Sequence, residues 1–128
     1  MTRQEILFNR LEGDGEKHYA SVCCRGATRL VFSVDYEFEP ESDGFFEEHP
    51  EFDGEDTYFS LCAEGRIGIE KFFPVSMKCL NDGIVQHIEK RRGLYSIDTT
   101  GLDEVRLVLD TQPPTSFPTT ITVVGNLK

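Results

Sequence analysis

The sequence has no tryptophan, only four cysteines, no Cys-x-x-Cys pair, and no lysine or arginine anywhere from Asp35 to Asp56. Nor does it contain an apolar run approaching the ~20 residues that a membrane helix needs. The start, Met1 to Glu5 followed by only Ile6, Leu7 and Phe8, lacks the apolar stretch of a signal peptide. The expectation is a chain made and kept in a cytoplasm, with no membrane partner. In a reducing compartment Cys23, Cys24, Cys62 and Cys79 read as free thiols, buried or half-buried. Cys23 and Cys24 are adjacent and would point to opposite faces of a strand. His18, His49 and His87 show no zinc-like spacing, so no metal or other cofactor is expected. The missing Trp counts mildly against stacking on sugars.

What is present is enough for one core. At 128 residues and 38% hydrophobic, with ten phenylalanines, the chain reads as a single domain that folds without disulfides or metal. The formal charge is −10, but 11 of the 23 acids lie between Asp35 and Asp56, and the other 12 face 13 basic residues. Direct binding of nucleic acid by the acidic surface is not expected, because affinity for phosphate comes from Lys and Arg.

Short segments separated by turn residues set the fold class. Leu30, Phe32, Val34, Tyr36 and Phe38 alternate with smaller or polar residues, the signature of a half-buried strand. His18 to Cys24, Thr57 to Ala63, Arg66 to Phe73, Ile84 to Lys90, Leu94 to Asp98, Asp103 to Thr111 and Thr119 to Leu127 read as further strands. Turn signals at roughly ten-residue spacing predict an all-β, antiparallel two-sheet β-sandwich of jelly-roll or immunoglobulin-like character. At the start, Thr2-Arg3-Gln4-Glu5 fits the S/T-x-x-E capping box, which predicts a short N-terminal helix or docked arm; a first strand is the alternative. Residues Glu39 to Asp56 have no period of 2 or 3.6 and read as a long acidic loop.

Three stretches invite a chemical reading. Asp98-Thr99-Thr100-Gly101 approaches the Asp-Thr/Ser-Gly of aspartic proteases, but an extra threonine breaks the spacing, and a strand-to-strand corner fits better. Within the acidic loop, Glu39 to Gly44 mimics the start of a calcium loop, yet Pro50 stands where a bidentate Glu belongs. An irregular calcium site would have to draw on Asp43, Glu47, Glu48, Asp53, Glu55 or Asp56. The same loop carries Phe45, Phe46 and Phe52, each forgoing roughly 1.5 to 3 kcal/mol if left in water. They must fold back onto the domain or dock on another chain. Lys90-Arg91-Arg92-Gly93 is a compact basic turn that could meet an acidic loop on a neighbouring copy. No nucleophile arrangement is recognisable, so the chain is not expected to be an enzyme.

The final third resembles the closing hairpin of small β-sandwich virion structural proteins of tailed bacteriophages, of the crAss-like group. The residues that carry the likeness are Ile97-Asp98-Thr99-Thr100-Gly101, Val105-Arg106-Leu107-Val108-Leu109 and Thr120-Ile121-Thr122-Val123. The resemblance implies a non-catalytic virion protein, a capsid auxiliary or decoration protein or another head component. Its implied partners are the major capsid protein and copies of itself, met through Phe45, Phe46, Phe52, Lys90, Arg91 and Arg92. A calcium- or carbohydrate-binding module and an acidic inhibitor or nucleic-acid mimic are the competing readings.

Overall fold

The computed structural model describes residues 3–38, 59–111 and 119–128. Among the described residues eleven strands form two antiparallel sheets: β1 Arg3–Glu12, β2 Lys17–Cys23, β3 Arg29–Phe38, β4 Phe59–Arg66, β5 Phe73–Val75, β6 Met77–Cys79, β7 Val85–Gln86, β8 Ile88–Glu89, β9 Gly93–Asp98, β10 Glu104–Thr111 and β11 Thr119–Leu127. One sheet runs β1-β11-β3-β9-β6-β7; the other runs β2-β10-β4-β5, with β8 also paired to β4. The expected all-β sandwich is what forms. No helix occurs among the described residues, and none is long and apolar enough to cross a membrane.

Alternation decides which side chains meet between the sheets. Leu30, Phe32, Val34 and Tyr36 of β3, Tyr95 and Ile97 of β9, and Ile121 and Val123 of β11 face inward from one sheet. Phe59, Leu61 and Ala63 of β4 and Val105, Leu107 and Leu109 of β10 face them from the other. Tyr36 and Phe59 meet edge to face at 5.9 Å across the gap, while Phe32 stacks on Tyr95 at 5.7 Å within one sheet. Gly125 sits opposite Phe32, where an added Cβ would lie 3.1 Å from Leu30 Cδ1 and 3.3 Å from Phe32 Cβ. Its missing side chain is what lets those two large residues share the layer.

Four expectations need correction. The N-terminal capping box does not start a helix: Arg3–Glu12 is a strand on the edge of its sheet, paired with β11. Register shifts on both sides of Phe8 break the alternation that would have announced it, and Arg10 takes a φ of 53° there. The expected strand from Arg66 to Phe73 is instead a turn, because Gly68 adopts φ 59° and donates its N–H to Asp103 Oδ2 at 2.5 Å. Ile84 to Lys90 is split into two short pieces, β7 and β8, which pair in different sheets. Finally, all four cysteines are free as expected, with Cys24 and Cys79 buried and Cys62 half-buried, but Cys23 is exposed on the outer side of β2.

The two ends of the sandwich differ. At one end β3 finishes, β4 begins, and the β1–β2 turn closes onto Thr111 at the tip of β10. The Thr111 hydroxyl, 4% exposed, accepts the N–H groups of Asp14 and Gly15 at 3.1 Å each and donates toward Asp14 Oδ1 or the Glu16 carbonyl. Thr111→Val keeps the shape and removes both acceptances, so a loss of about 1–3 kcal/mol is expected in urea denaturation. At the other end lie Thr28, Arg66, Leu102 and the C-terminal strand, tied by Asp103 N–H to Arg66 O at 3.0 Å and Thr28 N–H to Lys128 O at 2.6 Å.

Candidate functional site

The corner at Asp98 is built as its spacing predicts. Asp98 is exposed, and its Oδ1 accepts the Thr100 N–H at 3.0 Å; Gly101 then turns at φ 82° and Leu102 N–H reaches back to Thr99 O at 3.0 Å. That backbone donation lowers the Asp98 pKa below the ordinary carboxylate value. The carboxylate serves the turn.

The basic turn is partly spent on its own chain. Arg91 Nη2 lies 3.1 Å from Asp82 Oδ2 and 3.9 Å from Glu89 Oε2, and the Arg91 carbonyl accepts the Tyr95 hydroxyl at 2.5 Å. The guanidinium of Arg92 covers the Tyr36 ring at 4.3 Å and stands 3.7 Å from Asp35. Lys90 alone of the three makes no hydrogen bond or ion pair with a described residue. The backbone N–H of Ile84 and then Arg91 lower the Asp82 pKa, so this carboxylate stays ionised as their acceptor.

Phe45, Phe46 and Phe52, and the calcium candidates Asp43, Glu47, Glu48, Asp53, Glu55 and Asp56, lie outside the described residues. Among the described residues no group of three or more His, Cys, Asp or Glu is placed to hold a metal ion.

What sequence reasoning missed is apolar surface at the end opposite Phe59. The turn after β4 exposes Ile67 at 62% and Ile69 at 95%, and Phe73 at the start of β5 is 57% exposed. Ile67 and Phe73, with Gly65, Val75 and Leu102, line an open groove of about 250 Å³, with Glu70 and Lys71 on its rim; Ile69 lies outside its lining. Gly65 is buried beneath Leu102 and Val75: an added Cβ would come within 2.8 Å of Leu102 Cδ1 and 3.2 Å of Val75 Cγ1. Lys71 Nζ lies 5.8 Å from the centre of the Phe73 ring and forms no ion pair with a described residue. The alternating apolar residues Ile67, Ile69 and Phe73 imitate the buried face of a strand; only Gly68, between the two isoleucines, hinted at a turn.

Beside the groove, the outer face of the second sheet carries a neutral ladder. Arg106 lies 4.1 Å from the Phe72 ring and 5.0 Å from the Tyr19 ring, and Arg66 lies 4.5 Å from Phe72. Glu64 and Glu104 balance these cations at 2.7 and 2.5 Å. Such pairing leaves no net charge to attract phosphate.

No protein-family model and no curated protein matches the chain. Among solved structures, the chain is similar to the PBSX exported protein XepA, with a TM-score of 0.71 at 12% identity over 99% of this chain. It spans 37% of the XepA chain. The SPBc2 prophage-derived protein YomS is similar over 99% of this chain and 94% of its own, with a TM-score of 0.66 at 10% identity. The shared property is the fold, at identities of 12% and 10%.

Proposed function

We propose that this protein is a non-catalytic structural component of a phage particle, a capsid auxiliary or decoration protein or another head component that docks on neighbouring subunits. The observation that carries this reading is where the apolar residues go. A sandwich of this size has a full core in Leu30, Phe32, Leu61, Tyr95, Leu107 and their neighbours, yet it also leaves Ile67 and Phe73 together on one groove and Ile69 exposed on the turn beside it. Contiguous exposed apolar surface of this kind marks contact with other chains. The resemblance of the last third to virion sandwiches and the fold shared with two phage-derived proteins support the same reading.

The test is the protein inventory of purified particles. Gradient-purified virions of the phage that encodes this chain are expected to contain it in many copies, in fixed ratio to the major capsid protein, by quantitative mass spectrometry. Recovery only in the soluble fraction of infected cells would overturn the reading.

A further inference from the structure

We propose that the outer face of the six-stranded sheet packs against the same face of a second copy of this chain, about a two-fold axis that runs along the strands between β3 and β9. This pairing rests on the subunit-contact role given above and adds to it a partner and a surface distinct from the groove.

Register lines up apolar side chains across that face. Leu30, Tyr95 and Val123 point into the core, so their neighbours Val31, Leu94 and Val124 point outward. Strand pairing sets Ile6 beside Val124, Val124 beside Ser33 and Ser33 beside Leu94, and the Leu80 N–H bonds the Leu94 carbonyl at 2.8 Å. One row therefore runs from β1 to the end of β6, and its Ile6, Leu94 and Leu80 are exposed. The next row carries Gln4, Asn126, Val31, Ser96, Lys78 and Val85, and Lys78 is the one charge in the two rows. A band with so little charge across an outer sheet face suits a second layer of sheet.

Charges flank this band and alternate in sign. Beyond one row Arg29 of β3 stands opposite Asp98 of β9; beyond the other, Asp35 of β3 lies 3.7 Å from Arg92, one residue before β9. Arg29 forms no ion pair with a described residue, and Asp98 turns Oδ1 to the Thr100 N–H. An axis between β3 and β9 lays Arg29 of each copy over Asp98 of the other, and Asp35 of each over Arg92 of the other. An axis across the strands would also oppose unlike charges, but it would set Leu94 on Ser96 and Leu80 on Lys78. The axis along the strands lays the apolar row on itself instead, Val124 against Leu80 and Leu94 against Ser33, and apolar burial selects it.

The face is large enough. Six strands at ~4.8 Å, over the ~20 Å from Arg29 to Asp35, give about 1,200 Å² for the two copies together, the low end of stable protein interfaces.

Sedimentation equilibrium of the full chain over a wide concentration range tests the pairing. The parent is expected to approach twice its monomer mass and stop there, because a two-fold face closes on itself. Leu94→Glu puts a carboxylate into the apolar row of each copy and should weaken association about thirtyfold or more. Leu80→Glu repeats that test should circular dichroism show that Leu94→Glu is misfolded. Phe73→Glu, in the groove, should associate like the parent. Asp35→Lys and Arg92→Glu should each weaken the dimer about tenfold, since each sets like charges together twice. Their equimolar mixture should recover it, because a mixed pair restores both contacts. Asp35→Lys mixed with Arg29→Asp should stay weak, as only an axis across the strands would pair those two. A parent that stays monomeric or grows beyond a dimer, folded row variants that dimerise like the parent, or a dimer lost in Phe73→Glu would overturn the proposal. So would recovery with Arg29→Asp rather than with Arg92→Glu. Monomers in solution together with a fixed ratio in particles would refute the dimer and leave the structural role standing. A dimer that never enters particles would do the reverse.

Discussion

Phe59→Ala is expected to cost about 3–5 kcal/mol of unfolding free energy, a large part of the ~5–15 kcal/mol typical of a domain. The ring is 1% exposed, at the first position of β4, and packs edge to face on Tyr36 of the opposite sheet at 5.9 Å. Removing it leaves a cavity between the sheets at the end where the chain leaves β3 and re-enters β4. Neither strand can collapse freely to fill it, since β3 is held between β11 and β9 and β4 between β10 on one side and β5 and β8 on the other. Equilibrium urea unfolding should show a lower midpoint at unchanged slope. A loss below about 1 kcal/mol would mean that Phe59 is not a bridge between the sheets.

The second large effect is pH-dependent. Glu89 is 1% exposed, pairs with Leu61 across β8 and β4, and leaves Oε1 without a hydrogen-bond partner among the described residues. Burial raises its pKa above 4.5, and Arg91 at 3.9 Å offsets the rise only in part while Asp82 adds to it. A carboxyl whose folded pKa exceeds its unfolded value favours the fold fully below the unfolded pKa. That contribution is lost as pH rises through the folded value. Glu89→Gln removes the titration. The variant is therefore expected to gain on the parent as pH climbs from 4 toward 8, by about 1.4 kcal/mol for each unit of the shift. Melting temperatures of both proteins across that range check it; a difference independent of pH would place the Glu89 carboxylate in water.

Much of this molecule was legible in its residues. The alternation of Leu30 to Tyr36, of Val105 to Leu109 and of Ile121 to Val123 named the inward faces correctly, because a period of two has one solution when one face must be dry. The corner at Asp98 was legible too, since short polar side chains and a glycine there do their work within four residues. β1 was only half legible: a capping box and four apolar residues left a helix or arm and a first strand both open, and pairing with β11, more than a hundred residues away, decides for the strand. Local propensity is a weak prior against a ladder of that length.

The candidate site divides along the same line. The acidic-aromatic stretch and the basic turn could be picked out by composition, yet composition did not say that Arg91 and Arg92 would be turned onto Asp82, Asp35 and Tyr36. The groove was invisible, because Ile67 and Phe73, like the exposed Ile69 between them, carry the same apolar pattern whether buried or exposed. Fold class, the core faces and the uneven distribution of charge were determined by the sequence alone, through periodicity and counting. Which strands pair and which end bears the groove were decided only by the tertiary structure. Those depend on contacts between residues distant in the chain, and their free energies exceed any local preference.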